Sequence, residues 1–87
     1  MSKIEREVVV SNTQGLHARP AALFVQIASK YTSAITVVKD AESVNGKSIM
    51  GLLMLGAQQY SKIKIFADGP DADQAIAELT EFLSRNE

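Results

Sequence analysis

The residues best suited to chemistry are His17 and its immediate neighbours. His17 is the only histidine in the chain, and Gly15, Arg19 and Pro20 all lie within three positions of it. Proline is accepted in a helix only in the first turn, so the helical spacing that follows predicts a helix beginning at Ala18. His17 would then lie at the helix N-terminus, where free backbone N–H groups and the helix dipole attract anions.

This placement favours phosphoryl chemistry. A neutral imidazole has a nitrogen lone pair that can attack phosphorus, and nearby positive charge favours the neutral ring. The attached group would meet the backbone N–H groups of Ala18 and Arg19 and the Arg19 guanidinium. Because the P–N bond is labile, such a site suits a temporary store that passes the group on. Taken alone, however, one histidine near a turn is most simply a surface residue.

Composition excludes several other kinds of site. The 87 residues include no cysteine, and a single histidine cannot build a histidine-rich metal site. No glycine-rich nucleotide-binding motif occurs, so we expect neither a metal nor another cofactor. The net charge of −1 argues against a nucleic-acid-binding protein. RNA binding through a sheet face is a weaker alternative, because Phe66 is the sole aromatic residue of a predicted strand.

The N-terminal residues and the apolar stretches indicate where in the cell the protein is expected. Residues 1–7 are charged and lack the apolar run of a signal peptide. The longest apolar stretch, residues 52–57, is too short to span a bilayer. We therefore expect a cytoplasmic protein without membrane insertion, formed by one domain over residues 1–87.

The remaining pattern predicts seven elements. Strand patterns occupy residues 3–10, 34–39, 43–46 and 62–67. Helical patterns occupy residues 18–31, 49–55 and the segment after residue 71. The order βαββαβα, with one apolar stripe on each helix, predicts an α+β fold. We expect a two-layer open-faced sandwich, in which helices cover one side of a four-stranded, mostly antiparallel sheet.

Local signals refine the three helices. Ser48 is a favoured N-cap residue and Gly56 a favoured C-terminal stop, whereas Asp71 and Gln74 have the spacing of a capping box. The apolar stripe expected on the first helix consists of Leu23, Phe24, Ile27, Ala28 and Tyr31. The stripe expected on the last helix consists of Ala72, Ala75, Ile76, Leu79 and Leu83.

Two motifs together resemble the signatures of one family. Residues 15–21, GLHARPA, are similar to the active-site signature of HPr, the histidine-containing phosphocarrier of the bacterial phosphoenolpyruvate-dependent sugar phosphotransferase system. Residues 45–51, NGKSIMG, resemble its second signature, and the element order matches over nearly the whole chain. The resemblance implies that enzyme I phosphorylates the δ1 nitrogen of His17, assisted by Arg19. The phosphoryl group would then pass to sugar-specific IIA proteins or domains.

The resemblance also implies regulation at Ser48. This residue matches the serine that HPr kinase/phosphorylase modifies, and the modified form would bind a catabolite-control transcription factor and react more slowly with enzyme I. The short second helix has more apolar residues than one side can bury, so part of it should form a docking surface. The docking residues that we expect are Leu16, Ile49, Met50 and Leu53.

Some alternatives remain open at this point. Residues 51–55, GLLML, also resemble the nitrogen-related branch of the family, whose members are regulatory phosphocarriers. A regulatory relative that only binds partners would have no need of His17. We expect a monomer, because a carrier must expose His17 to several partners. Gly46 and Tyr60 depart from the family pattern: Gly46 replaces a larger residue and would loosen its loop, and Tyr60 stands where glycine is common.

Overall fold

The computed structural model describes residues 3–85 and has the expected order of elements. The strands are β1 (Lys3–Val9), β2 (Ala34–Lys39), β3 (Glu42–Asn45) and β4 (Lys62–Asp68). The helices are α1 (Ala18–Ala28), α2 (Ile49–Leu55) and α3 (Ala72–Ser84). The first two residues, on which part of the signal-peptide argument rests, lie outside the described residues. No helix within residues 3–85 combines the length and the apolar character needed to cross a bilayer.

The strands form one antiparallel sheet in the order β1-β4-β2-β3. Alternation along β4 defines its two faces: Ile63 and Ile65 are buried, whereas Lys62 and Lys64 are exposed. All three helices pack on the buried face, which confirms the two-layer open-faced sandwich. Each fully buried aliphatic side chain of this layer stabilises the fold by about 1.5–3 kcal/mol relative to an exposed one.

The apolar stripe of α3 is confirmed residue by residue. Its buried side chains are Ala72, Ala75, Ile76, Leu79 and Leu83. Their spacing follows the helical period, so one face of α3 covers β1 and β4 while the other faces solvent. The packing of α3 on β1 and β4 fixes the C-terminal end of α3 relative to the loop that follows β1.

Helix α1 is shorter than expected, and of its predicted apolar stripe only Leu23 faces away from the core. It ends at Ala28 rather than near Tyr31, because the N–H groups of Lys30 and Tyr31 bond carbonyls three residues back and tighten the final turn. Leu23 was expected to be buried but is 41% exposed. Leu23 precedes Phe24 and so lies about 100° away from the inward face that Phe24 marks. The residues that α1 buries are Pro20, Ala21, Phe24 and Ala28.

The hairpin between β2 and β3 is tighter than the sequence indicates. β3 begins at Glu42, not Ser43, because a two-residue turn allows Lys39 to pair with Glu42. Asp40, the first residue of that turn, has a φ of 56°. Aspartate tolerates this left-handed conformation better than most residues, so the shorter turn is accessible.

Gly46 was expected to loosen its loop, and this expectation is wrong. Its N–H donates to the carbonyl of Ile35 at 2.8 Å, and the residue is buried. A Cβ at this position would lie 2.5 Å from Cγ2 of Ile35. The absence of a side chain therefore permits a close approach to β2.

Asp71 precedes α3 as expected, but not through a capping box. Its carboxylate accepts no hydrogen bond from its own helix. It accepts instead the hydroxyl of Ser33 at 2.6 Å, the N–H of Thr32 at 2.9 Å and the N–H of Ser33 at 3.0 Å. The Ser33 hydroxyl, followed by the Thr32 N–H, lowers the pKa of Asp71 from 3.8 to about 2. These bonds tie the turn after α1 to the start of α3.

Candidate active site

His17 is the N-cap residue of α1, at the position that the sequence predicts. Its backbone is extended, with φ −84° and ψ −170°, and its carbonyl accepts the N–H of Ala21 at 2.9 Å. The imidazole is half-buried and makes no capping hydrogen bond to the helix. The backbone of His17 therefore starts α1, while its side chain takes no part in completing the first turn.

The first turn of α1 offers few donors to a capping side chain. A cap usually accepts from the second or third helical N–H, and Pro20, at the third position, has none. The N–H groups of Ala18 and Arg19 come before it and have no acceptor within the helix. These two donors and the positive end of the helix dipole form the anion-attracting arrangement expected beside His17.

The loop before His17 is held against the segment that follows α2. Gly15 has a φ of 69°, and a Cβ there would lie 2.7 Å from Cα of Gln58 and would also clash with the carbonyl oxygen of Ala57. The N–H of Leu16 donates to the same Ala57 carbonyl at 2.9 Å. Both the left-handed backbone and the close contact require glycine, so Gly15 fixes the path of the chain into His17.

His17 lines a cleft of about 380 Å³ that is large compared with a phosphoryl group. The walls come from the loop 12–14, the first turns of α1 and the end of α3. Among residues 3–85, no residue that lines the cleft is acidic, and no cluster of acidic or histidine side chains is fit to bind a metal ion. A larger concavity of about 510 Å³, along β2 and β3, contains none of the predicted site residues.

The cleft also contains residues that the sequence analysis missed. Phe82 and Arg85 lie at the end of α3 and reach the cleft because the N–H of Ser11 donates to the carbonyl of Leu83 at 3.1 Å. Leu23, expected in the core, lines the same cleft. No motif marks these positions. The helix dipole by itself favours a basic residue at a helix C-terminus, so the position of Arg85 in the sequence did not indicate a role in the cleft.

Helix α2 presents an apolar surface, as expected. Ile49, Met50 and Leu53 are exposed, and Met54, which was not predicted, is 75% exposed. Leu16 behaves differently: it is only 4% exposed and belongs to the core. The bond from its N–H to Ala57 holds this part of the loop against the body of the protein, so the assignment of Leu16 to a docking surface is wrong.

Ser48 caps α2 as the sequence predicts. Its Oγ accepts the N–H of Gly51, the third helical residue, at 3.0 Å. The C-cap residue of the helix is Gly56, whose φ of 66° is left-handed. Beside the cap, Nζ of Lys47 donates to the carbonyl of Tyr31 at 2.7 Å and links the start of α2 to the turn after α1.

Comparisons with known proteins agree with this geometry. A family model described as the PTS HPr component phosphorylation site matches residues 4–85. The chain is 44% identical over 82 residues to the HPr-like protein Crh of Halalkalibacterium halodurans, covering 94% of this chain and 98% of that protein. Phosphocarrier protein HPr from Bacillus anthracis has a TM-score of 0.93 at 40% identity, covering 97% of this chain and 100% of the other.

A further relative bears on the oligomeric state. Crh of Bacillus subtilis, with a TM-score of 0.76, 40% identity and 92% coverage of each chain, is described as a dimer with a swapped domain. This relative does not support the expectation of a monomer. The family model spans nearly the whole chain, and the Crh and HPr relatives are each at least 40% identical to the chain over more than 90% of its length. With the same element order and with His17 at the start of its first helix, the chain belongs to the HPr family of phosphocarriers.

Proposed function

We propose that this protein accepts a phosphoryl group from phosphorylated enzyme I on His17 and passes it to IIA proteins or domains during sugar uptake, in the cytoplasm. The observation that carries the proposal is the placement of His17. Its half-buried ring takes no part in capping α1 and lines an open cleft together with Arg19. A ring in this position can be reached by a second protein and can hold a phosphoryl group beside positive charge.

The transfer needs little machinery from this chain. The neutral ring attacks phosphorus with one nitrogen lone pair while the donor's bond to phosphorus breaks and its electrons stay on the donor atom. A proton from the other ring nitrogen of His17 passes in net to the donor. The N–H groups of Ala18 and Arg19 and the exposed Arg19 guanidinium are suited to hold the phosphoryl oxygens. The reverse steps deliver the group to the acceptor.

Labelled phosphoenolpyruvate and enzyme I test this proposal directly. The wild-type chain should gain acid-labile label, and His17→Ala should gain none while remaining folded. Arg19→Ala should slow labelling roughly tenfold, because one charged donor to the phosphoryl group is lost. Lys3→Gln removes the same charge at the far end of β1 and serves as the control. Acid-labile label on His17→Ala at the wild-type rate would contradict the assignment.

We assign regulation to Ser48, through HPr kinase/phosphorylase and a catabolite-control transcription factor. Ser48 directly precedes the exposed apolar side chains Ile49, Met50 and Leu53, on which we expect partners to dock. A phosphate on Ser48 would add about two negative charges beside this surface and would hinder enzyme I. Incubation with the kinase and ATP should give acid-stable label that Ser48→Ala lacks, and label on that variant would argue against this site.

A purely regulatory role is the second candidate. It is favoured by the 44% identity to the HPr-like protein Crh and by a structural relative described as a catabolite repression protein. This role would use Ser48 and have no need of His17. Label from enzyme I on His17 supports the carrier, whereas label on Ser48 alone supports the regulator. A nitrogen-branch phosphocarrier is distinguished by comparing enzyme I proteins from the two branches as phosphoryl donors to His17.

A further inference from the structure

Arg85 shares the cleft of His17 although it lies near the opposite end of the chain. It is the C-cap residue of α3, and its N–H donates to the carbonyl of Phe82 at 3.3 Å. The same end of α3 is bonded to Ser11, in the loop that leads to His17. The backbone that carries Arg85 is therefore held at the rim of the cleft by the fold itself.

The charge of this cleft contrasts with that of the chain. The protein has a net charge of −1, yet the residues among 3–85 that line the cleft include two guanidinium groups and no carboxylate. The ion pairs formed among residues 3–85 all use lysines, so neither Arg19 nor Arg85 is paired there with an acid. The charge of Arg85 helps to lower the pKa of Glu78 without a hydrogen bond between them. The Glu78 carboxylate is hydrogen-bonded to Lys30 and Tyr31. Both arginines thus direct positive potential into the cleft.

We propose that Arg85 is a second cation that contacts the phosphoryl group on His17, in addition to Arg19. This inference rests on the proposed carrier function. A histidine-bound phosphoryl group carries up to two negative charges, more than one exposed arginine offsets. A guanidinium offers paired donors that match phosphoryl oxygens, and it stays charged throughout the cycle. Arg85 forms no covalent bond in the transfer described above. It stabilises the charge that the phosphoryl group brings into the cleft.

The test compares Arg85→Gln, Arg85→Lys and Lys3→Gln. Each protein is phosphorylated without any partner by phosphoramidate, from which ammonia leaves as the new P–N bond forms on the ring. Phosphorus-31 NMR then follows the titration of the phosphorylated site. Loss of a nearby cation disfavours the less protonated form, so Arg85→Gln should raise the titration midpoint by about half a pH unit. Arg85→Lys should restore most of the wild-type midpoint, and Lys3→Gln should leave it unchanged.

The rate with phosphorylated enzyme I gives the second measurement. Arg85→Gln should lower kcat/KM about threefold to fivefold, as expected for one exposed charge contact. A midpoint and a rate equal to those of Lys3→Gln overturn the role of Arg85. If enzyme I fails on the wild-type chain while the midpoint still shifts in Arg85→Gln, the carrier function falls and the phosphoryl contact stands. If the wild-type chain is labelled normally and the midpoint does not move, only the Arg85 proposal falls.

Discussion

Helices α1 and α2 begin with similar backbone conformations but differ in whether a side chain bonds the free N–H groups of the first turn. Both N-cap residues are extended, with a φ of −84° at His17 and −119° at Ser48. In α2 the serine hydroxyl accepts the N–H of Gly51 at the third helical position. In α1 the third position is Pro20, which has no N–H, and the imidazole makes no capping bond. Helix α2 satisfies one of its donors internally, whereas α1 leaves its donors beside a nucleophilic ring.

We call the uncapped N-terminus of α1 at His17 the open helix start and the capped N-terminus of α2 at Ser48 the closed helix start. An open helix start needs stabilising contacts from the rest of the protein. Without a capping bond, α1 must be held by other contacts. Pro20, Ala21 and Phe24 are buried within its first two turns. Gly15 locks the preceding loop against the segment after α2. The neighbouring elements thus supply the stability that a side-chain cap supplies at Ser48, and His17 remains available for chemistry.

The largest expected effect comes from Gly15, which holds the loop of the open helix start. Gly15→Ala combines a left-handed φ with a backbone clash against residues 57–58, and should lower the free energy of unfolding by roughly 2–4 kcal/mol. Gly56→Ala is the matched control. Its φ of 66° is nearly the same, but apart from the two chain neighbours no atom of residues 3–85 lies within 4 Å of the added Cβ, so it should cost only about 1 kcal/mol.

Guanidinium chloride unfolding of both variants measures this contrast. Equal losses in the two proteins would mean that the contact with residues 57–58 does not hold the loop. Labelling by enzyme I gives a second reading. It should fall in Gly15→Ala under conditions where the variant is still folded, because the displaced loop carries His17.

The next effect concerns the closed helix start. Ser48→Ala removes the bond to Gly51 and should lower the free energy of unfolding by about 1 kcal/mol. Ser48→Asp keeps an acceptor at the N-cap and should lose less than Ser48→Ala. It also places a negative charge beside the exposed side chains of α2, so it should be labelled by enzyme I more slowly than Ser48→Ala. Equal labelling rates for the two variants count against a docking surface on α2.

The features that sequence analysis predicted correctly are those encoded by local spacing. The buried stripe of α3, the cap at Ser48 and the start of α1 before Pro20 each follow from residues within one or two helical turns. Helix propensity, proline geometry and capping act over that range. The position of His17 at a helix start was therefore predictable without any knowledge of the tertiary structure.

The features that were missed depend on contacts between distant segments. Leu16 is buried in a segment whose backbone is bonded to Ala57. The Asp71 carboxylate accepts hydrogen bonds from the turn at residues 32–33 and none from its own helix. Arg85 reaches the cleft only because α3 packs beside the loop that follows β1. Local rules list several possible partners for each of these residues, and only the assembled fold selects among them.

Helix α3 begins in a third way, because the carboxylate of its N-cap residue Asp71 bonds another turn and not its own helix. The pH dependence of stability tests this arrangement. The pKa of Asp71 is about 2 in the folded protein against an ordinary 3.8, so the ionised form stabilises the fold. This contribution is complete above about pH 4 and disappears as the pH falls toward 2. Asp71→Asn should therefore be less stable than wild type at pH 5, and the gap should narrow below pH 4 and close below pH 2. Asp73→Asn, an exposed acid in the first turn of the same helix, is the control. A gap independent of pH would argue against these hydrogen bonds.

The smallest expected effect is the most direct comparison of the two helix starts. In His17→Ser the new hydroxyl can accept only from the N–H of Arg19, because Pro20 offers none. The variant should therefore gain less than about 0.5 kcal/mol in the free energy of unfolding, well below what Ser48 contributes to α2. The reciprocal variant, Ser48→His, should lose about 1 kcal/mol, since an imidazole at that position gives up the bond to Gly51. Urea unfolding at neutral pH measures both. If the free energy of unfolding of His17→Ser rises by about 1 kcal/mol or more, Pro20 does not limit capping. The N–H groups beside His17 would then lack a capping bond only because residue 17 is a histidine.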